Sequence, residues 1–533
     1  KPFGFRCRPP FQGQLARMTR VLRARRQKSA LLLTTACALA RASAGRCQPP
    51  RTPPTAPQRA TELNGKAWPE LCAEDGTEAE EHFFVIGDWG GVGVPPRPAN
   101  QASRRGRPFV VGVDDRAQQR VAAQMKARAN RTHPRFVVNV GDNFYWGGID
   151  TNCGQTGPLV RTGQWQHVFE AMYSGPDLAG KPWMGVLGNH DYGGWMFTAG
   201  WDQAVMYTWG PGGRWLTPAL YWSRRVAYRD FAADLFFVDT NVNDAHHPMA
   251  FPNTNMCSLA HNSAGASCGA TGPSSVWSCH DWFQELWAEQ VPWLEAGLRS
   301  SRAEWQIVVT HFPPDFMIDF WSRLSETHGV DLIIAGHRHQ EEVHYEDGFS
   351  GGMLGSTAWI VAGGGGGITS EGTPRLDGQD DMYGFMDVAI SREELRIDAI
   401  SHGGVLRSST KVRPRLSLAE RQRATTAPQP TRPETATATA TSTAAAATST
   451  ATATSTATKT SRAATTSTGA STSTAAGTTT ASATPATSTS TASPTAEATL
   501  PPPAVGVAAA SPTARVSAPG LARRAPPPTP PLV

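Results

Sequence analysis

The chain lacks the strong net charge that nucleic-acid-binding proteins carry. Its 533 residues include 49 Lys and Arg against 44 Asp and Glu, which gives a formal net charge of +5 with neutral histidines. We therefore expect no nucleic-acid partner. The chain also has no apolar run of about 20 residues, the length that crosses a bilayer roughly 30 Å thick, so no transmembrane anchor is predicted.

The C-terminal part lacks every residue type that builds a core. From residue 416 onward it contains no Trp, Phe, Tyr, Cys or His. Such a segment cannot bury enough apolar surface to offset the entropy lost on ordering, so residues 413–533 are predicted to be a disordered Thr/Ala/Ser/Pro-rich tail. The run from Thr435 to Thr499 has the composition of an O-glycosylated mucin-like stalk, with an unmodified linker as the alternative.

The N-terminal part has the anatomy of a secretory signal. Met18 opens a basic stretch, followed by the apolar SALLLTTACALA and a small-residue run that ends at Ala44. Residues 18–44 are therefore predicted to be a signal peptide cleaved after Ala44, with a short anchor or a chance apolar run as alternatives. Because the sequence starts at Lys1, residues 1–17 are interpreted as upstream sequence that is not translated. Residues 45–79 are predicted to be a linker.

No cysteine lies in a C-x-x-C pair, which argues against a common zinc or redox motif. Beyond the predicted signal, six cysteines remain, an even number that suits disulfides in an exported protein. A small zinc site that uses His261 or His280 is the alternative, and sequence alone leaves the pairing open. The six are Cys47, Cys72, Cys153, Cys257, Cys268 and Cys279.

The material for a core is concentrated in residues 80–412, which are predicted to form one α/β domain. All 17 Trp lie between Trp68 and Trp359. Helical patterns occur at residues 114–129 and 291–298, where Pro292 suits a first turn. Short apolar runs of the kind found in buried strands occur at residues 82–87, 135–140, 183–187, 235–239, 305–310, 332–335 and 359–362.

Polar side chains follow five of these runs, next to glycines that allow sharp turns. The motifs are GDWG at 87–90, GDNFY at 141–145, GNHD at 188–191, VVTH at 308–311 and GHRH at 336–339. Side chains at the carboxyl ends of strands point into the crevice where α/β sheets place their sites. Together they offer an oxygen and nitrogen ligand set sufficient for two metal ions. A purely structural role would leave these polar groups buried with no metal to neutralise them.

In this order the motifs resemble the five-block signature of purple acid phosphatases, within the calcineurin-like metallophosphoesterases, and particularly the short tartrate-resistant type. The resemblance runs from about His82 to Ile400. It implies a four-layer α/β/β/α sandwich of two mixed sheets, and hydrolysis of phosphate monoesters at acid pH. It also implies a dinuclear centre of Fe(III) plus a divalent metal, which is Fe, Zn or Mn.

The resemblance assigns a role to each candidate ligand. Asp88, Tyr145 and His339 match the ferric-site ligands. Asp142 matches the carboxylate that bridges both metals. Asn189, His311 and His337 match the divalent-site ligands.

His190 matches the position that holds the phosphoryl group or protonates the leaving alkoxide, and it is the predicted catalytic residue. The expected function is a secreted acid phosphatase that releases phosphate from small monoesters by attack of a metal-bound hydroxide. The alternatives are a metallophosphoesterase for diesters or nucleotides, or a non-catalytic mucin-tailed surface glycoprotein. The expected location is extracellular, at the cell surface or in an acidic endomembrane compartment, and the oligomeric state stays open.

One position departs from the family pattern. A second substrate-side histidine is expected about nine residues after His311, where this chain has Phe320. Either His190 works alone, or Asp315, Asp319 or His328 substitutes for it, or the enzyme tolerates a less assisted leaving group. The Phe- and Trp-rich stretch here either stacks on an aromatic substrate or simply packs.

Three weaker features complete the sequence predictions. Asn130 begins the acceptor triplet Asn-Arg-Thr and is a predicted surface glycosylation site. Residues 363–367 are a glycine run without the Lys of a P-loop, predicted to be a flexible loop. The insertion at residues 241–278 is predicted to be a lid or specificity loop, and its His246 and His247 are interpreted as exposed residues.

Overall fold

A computed structural model of the chain describes residues 47, 52–73, 80–91, 106–154, 162–345 and 354–415. The upstream residues 1–17, the predicted signal at 18–44 and the tail beyond residue 415 lie outside the described residues.

The described residues contain two seven-stranded mixed sheets. In chain order the strands are β1 (Ala67–Ala73), β2 (Glu81–Ile86), β3 (Val137–Asn139), β4 (Trp183–Gly185), β5 (Trp215–Leu216), β6 (Trp222–Tyr228), β7 (Ala232–Phe237), β8 (Trp305–Val309), β9 (Leu332–Ala335), β10 (Glu341–His344), β11 (Ala358–Ala362), β12 (Gly384–Ile390), β13 (Leu395–Ser401) and β14 (Leu406–Val412). The first sheet has the order β1-β6-β7-β8-β9-β11-β10, and the second has β14-β13-β12-β2-β3-β4-β5. The central strands β7-β8-β9-β11 of the first sheet and β2-β3-β4-β5 of the second are parallel.

Helices cover the outer faces of the sheets. They are α1 (Ala117–Thr132), α2 (Asn189–Tyr192), α3 (Trp201–Met206), α4 (Val276–Ser300) and α5 (Ile318–His328), with a π-helical stretch at Trp165–Glu170. Short 3-10 turns lie at Asp114–Arg116, Tyr207–Trp209, Asn241–Asp244 and Pro314–Met317.

The alternation of side chains along each strand builds the layers. Phe83 and Val85 of β2 face the first sheet and join a core between the two sheets. Phe84 and Ile86 of the same strand face the opposite way and join the core under α1. Because both faces of β2 are buried, its sequence is a continuous apolar run. The predicted four-layer sandwich of two mixed sheets is confirmed.

The helical pattern at residues 291–298 is confirmed, but the prediction that Pro292 lies in the first turn is wrong, because α4 begins fifteen residues before Val291, at Val276. Ser275 caps it, since its side chain accepts a hydrogen bond from the backbone N–H of Ser278. Phe283, Leu286 and Leu294 are buried together on one face of α4. This apolar period outweighs the local cost of a proline within the helix.

The prediction of a linker at residues 45–79 is also wrong for part of that range. Residues 67–73 form β1, which pairs in parallel with β6 at the edge of the first sheet. Cys47 is joined by a disulfide to Cys72 at the end of this strand. The alternating apolar residues of β1 gave a weaker signal than the continuous central strands.

The cysteines form disulfides, as predicted, and the zinc alternative is wrong. The three bonds are Cys47–Cys72, Cys153–Cys268 and Cys257–Cys279, and two of them tie down the insertion at residues 241–278. His261 stacks on Trp195, and His280 contacts Asp281. Within the insertion, His247 is exposed as predicted, whereas His246 is half-buried against Phe251.

No helix among the described residues is long and apolar enough to cross a membrane.

Candidate metal centre

The five motifs meet where the two sheets present the carboxyl ends of their central strands. Asp88, Asp142 and Asn189 follow the adjacent parallel strands β2, β3 and β4 of the second sheet. His311 and His337 follow β8 and β9 of the first sheet. The His337 backbone N–H donates to Asp88 Oδ2 at 3.0 Å, so the two sheets are in direct contact at this edge.

Three candidate ligands adopt a left-handed backbone. The φ angles are 57° at Asp88, 51° at Asp142 and 70° at His337. This conformation costs a residue with a side chain roughly 1–2 kcal/mol. Left-handed residues of this kind cluster at functional sites, where the surrounding structure holds them in place.

Asp88, Asp142, Tyr145 and His339 form a first group of donors. The Tyr145 hydroxyl oxygen lies 2.6 Å from Asp142 Oδ2, 2.9 Å from Asp88 Oδ1 and 3.1 Å from His339 Nε2. The Nδ1 atom of His339 is 3.2 Å from the Thr369 carbonyl oxygen. This hydrogen bond places the ring proton on Nδ1 and leaves the Nε2 lone pair directed at the other three donors.

Asn189, His311 and His337 form a second group. His311 Nε2 lies 3.1 Å from Asn189 Oδ1, and the rings of His311 and His337 are 5.2 Å apart. His311 Nδ1 is 2.8 Å from the Val140 carbonyl oxygen, so this ring also directs its Nε2 lone pair into the group.

Asp142 connects the two groups. Its Oδ2 accepts from Tyr145 in the first group, and its Oδ1 lies 3.5 Å from His311 Nε2 in the second. One buried carboxylate thus reaches both donor sets, which is the geometry that a bridging ligand needs.

The electrostatics of the centre favour bound cations. Burial, together with the nearby Asp142 and Asp88 charges, raises the pKa of Tyr145 well above its ordinary value. Burial likewise raises the pKa of Asp88 well above the ordinary range. For Asp142, burial raises the pKa, but the charges of His311 and His190 outweigh it and lower the value to about 2.

The donor set therefore fits two metal ions. It holds two carboxylates, a phenol, an amide and three imidazoles, and the donor atoms of Asp88, Asp142 and His339 all lie within 4.8 Å of one another. Burial lowers the pKa of His337 well below its ordinary value, so this imidazole is a neutral donor. Positive ions would neutralise the crowded acidic groups and allow the phenol to bind as its anion.

His190 lies beside both groups but is held differently. Its backbone N–H donates to Asp142 Oδ1 at 2.8 Å, and its Nδ1 lies 2.6 Å from the Trp146 carbonyl oxygen. Its ring packs at 4.5 Å from that of Tyr145. Because Nδ1 is engaged by a backbone carbonyl, Nε2 is the ring atom left for a ligand.

Several residues that support the centre were not identified from the sequence. Asp244 accepts from Asn189 Nδ2 at 3.1 Å, which turns Asn189 Oδ1 toward His311. Thr240 Oγ1 accepts from the backbone N–H of His311, and Asp191 accepts from the backbone N–H of Asn143. Asp191 lies within the GNHD motif, and Thr240 and Asp244 lie in the segment after β7. The sequence does not show which partner a lone polar residue will meet.

Comparison with known proteins finds relatives among the phosphoesterases. Residues 82–341 match the family of calcineurin-like phosphoesterases. Purple acid phosphatase 4 of Arabidopsis thaliana is 29% identical over 344 residues, which cover 59% of this chain and 78% of the relative. Human tartrate-resistant acid phosphatase type 5 is 22% identical over 277 residues, which cover 50% of this chain and 69% of the relative.

Residues 82–341 are a calcineurin-like phosphoesterase domain, and the relatives that the chain resembles are purple acid phosphatases. Among solved structures, the purple acid phosphatase PPD1 from yellow lupin seeds aligns with a TM-score of 0.35 and 14% identity, over 66% of this chain and 55% of that one. The purple acid phosphatase homologues imply a dinuclear metal centre, and the protein is a metal-dependent phosphoesterase, an enzyme of the acid phosphatase class.

The glycine run at residues 363–367 of this phosphoesterase is not a flexible loop, so that prediction is wrong. All five residues are buried, and the backbone N–H of Gly367 donates to the Asp88 carbonyl at 2.8 Å. A Cβ atom on Gly367 would lie 2.6 Å from Cε2 of Tyr145. These contacts fix the run in place, and only glycine lets the backbone pass so close to the Tyr145 ring.

None of the three residues considered as substitutes for a second histidine offers a free group at the centre. The Asp315 carboxylate is 2.6 Å from Arg338 Nη1. Asp319 is exposed on α5, and His328 lies at the far end of that helix, where burial and Arg299 lower its pKa. Phe320 packs at 4.9 Å against Trp287 of α4, so it is packing rather than part of the centre.

Arg338, between His337 and His339, fixes the loop that carries both histidines. Its guanidinium donates to both carboxylate oxygens of Glu342, at 2.9 and 2.8 Å. Burial raises the pKa of Glu342, but hydrogen bonds from His344 and Arg338 outweigh it and lower the value to about 2.

The hydrogen bonds of Glu342 with Arg338 and His344 are expected to stabilise the fold until the carboxylate is protonated in acid. Because the folded-state pKa lies below the ordinary value of 4.5, its contribution is complete above pH 4.5 and is lost as the pH falls toward 2. We expect the difference in unfolding free energy between wild type and Glu342→Gln to be constant above pH 4.5 and to shrink below it. Urea unfolding at pH values above and below 4.5 measures this difference in free energy. Glu393→Gln, at an exposed glutamate, is the control. A difference that does not change between pH 5 and pH 2 would contradict the assignment.

Substitution of Gly367 should disturb the centre without unfolding the protein. Gly367→Ala would push the Tyr145 ring out of place, and a displacement of about 1 Å can lower activity on the order of 100-fold. Gly265→Ala is the matched control, because a Cβ there meets nothing within 4 Å. Phosphatase rates and melting temperatures of the two variants measure the effect. Full activity of Gly367→Ala would show that Tyr145 tolerates the added methyl group.

Proposed function

We propose that the protein is a secreted acid phosphatase that releases inorganic phosphate from small phosphate monoesters. The observation that carries this proposal is the position of Tyr145, whose hydroxyl oxygen lies within 3.1 Å of Asp88, Asp142 and His339. A phenolate is a hard anionic donor that suits Fe(III). We assign the ferric site to this group, and the divalent site, for Fe, Zn or Mn, to Asn189, His311 and His337, with Asp142 shared.

Two bound metal ions would supply the positive charge that holds the phosphate oxygens and lowers the pKa of the attacking water. The chain itself orients these donors. The hydrogen bonds of His339 to Thr369 and of His311 to Val140 fix which nitrogen of each ring is available. Because the pKa of the buried Asp142 is low, this carboxylate keeps its negative charge between the two groups of donors.

His190 is assigned the contact with the transferred phosphoryl group and the leaving oxygen. Its Nδ1–H is held by the Trp146 carbonyl, so Nε2 carries the lone pair of the neutral ring and donates a proton only from the imidazolium form. Burial lowers the pKa of His190 to about 4, so this form is favoured by acid solution. In the reaction the oxygen of water bonds to phosphorus and gives up a proton to solvent, the ester P–O bond breaks, and its electron pair leaves with the alcohol oxygen. The proton that this oxygen takes comes from His190 or from solvent.

Export is supported by the three disulfides, because such bonds persist in oxidising compartments. Asn130 lies exposed in the last turn of α1, accessible to glycosylation. The proposed location is extracellular, at the cell surface or in an acidic compartment.

Removal of the His190 ring should slow turnover without removing the metals. General acid–base assistance contributes about 10²- to 10⁴-fold, so His190→Ala should lower kcat by an amount in that range. Metal content, measured by elemental analysis, should stay at the wild-type level. His280→Ala, which removes a half-buried histidine of α4, is the control. If His190→Ala keeps full kcat on an alkyl phosphate, His190 is not the proton donor.

A substrate panel tests the proposed reaction itself. The metal-loaded full-length protein should release inorganic phosphate from glycerol 2-phosphate and p-nitrophenyl phosphate at pH 5, with much slower cleavage of bis(p-nitrophenyl) phosphate. Phosphate is measured colorimetrically. Efficient cleavage of the diester with no phosphate released from the monoesters would refute monoester hydrolysis while leaving the phosphoesterase family unaffected.

A further inference from the structure

An aromatic side chain lies exposed at the rim of the metal centre. Phe316 is 46% exposed, and its ring meets that of the candidate ligand His337 edge-on, with centroids 5.3 Å apart. Phe312, which is buried, packs at 5.1 Å from Phe316 and at 4.1 Å from His337. The two phenylalanines therefore form an apolar wall that starts at a metal-binding ring and ends in solvent.

This exposed ring is held in a fixed place. Phe316 lies in the 3-10 turn Pro314–Met317, which follows Pro313. Its neighbour Asp315 is paired at 2.6 Å with Arg338, and Arg338 is held by both oxygens of Glu342. The turn is therefore tied to the loop that carries His337 and His339. Single exposed apolar residues are common on proteins, but few are fixed in this way beside a reactive centre.

The wall provides no proton and no free charge. Phe312, Pro313, Pro314 and Phe316 have no titratable group, and the carboxylate of Asp315 is occupied by Arg338. A group bound here is therefore recognised by ring faces and apolar contact, not by hydrogen bonds. The part of a bound phosphate ester that extends away from the metals is its leaving group.

We propose that Phe316 is a specificity-determining residue that contacts the ring of an aromatic leaving group and so raises kcat/KM for esters that carry one; this rests on the phosphatase function proposed above. A ring one or two bonds from the ester oxygen can reach Phe316 while the phosphate lies beside His337. Aryl esters also suit a wall without a proton donor. A phenol has a pKa of about 10, so its oxygen leaves as a phenolate with little proton donation.

The test compares leaving groups that separate ring contact from acidity. Phenyl phosphate has a ring and an acidic leaving group, benzyl phosphate has a ring and an alcohol, and glycerol 2-phosphate has an alcohol and no ring. Phe316→Ala in the metal-loaded full-length protein should lower kcat/KM about five- to tenfold for the first two. For glycerol 2-phosphate the kcat/KM of this variant should stay within about twofold of the wild-type value.

Two further variants serve as controls. Phe316→Trp should retain the preference for ring-bearing esters, because it keeps an aromatic face. Leu406→Ala, which removes an exposed apolar side chain of β14, should leave all three values unchanged. Equal losses of Phe316→Ala on all three esters, or no loss on any, would overturn the subsite.

Binding measurements keep this test separate from the proposed function. Phenylphosphonate and methylphosphonate cannot be hydrolysed, and calorimetry reports their affinity whether or not monoesters are turned over. Phe316→Ala should weaken phenylphosphonate about five- to tenfold and leave methylphosphonate unchanged. Equal effects on both ligands would overturn the subsite even if phosphatase activity is confirmed. An absence of phosphate release from every monoester would instead refute the proposed function.

Discussion

The arrangement of the whole site depends on the contacts of one buried carboxylate, Asp142. It lies after β3, reaches Tyr145 with one oxygen, and reaches His311 and the backbone of His190 with the other. These partners come from both sheets, so the carboxylate joins the two layers at this edge. A buried anion is stable only if it is paired with positive charge or strong donors, and this requirement shapes the residues around it.

The surrounding chain supplies rigidity rather than charge. Left-handed residues, close glycine contacts and backbone carbonyls that orient imidazoles hold the donors, while the sandwich core fixes the strands on which they stand. The Arg338 and Glu342 pair extends this rigidity to the rim, where Phe316 lies. The same loop thus links the candidate metal ligands His337 and His339 to the surface proposed to contact the rest of a substrate.

Much of this architecture was predictable from the sequence, because buried parallel strands read as continuous apolar runs and motif residues follow them directly. The edge strand β1 and the early start of α4 were missed, since their apolar residues alternate or are interrupted by polar and proline positions. The seven candidate ligands were predictable as types and positions. Asp244 and Thr369 were not, because their contacts with Asn189 and His339 join segments far apart in the chain.

The central claim is that Tyr145 binds ferric iron as a phenolate, and visible absorption with metal analysis tests it most directly. Wild-type protein loaded with iron should show a broad charge-transfer band in the visible range. Tyr145→Phe, which keeps the ring and removes the oxygen, should bind metal but lose that band. An iron-loaded wild type without colour, or a Tyr145→Phe variant that keeps the full band, would contradict the account.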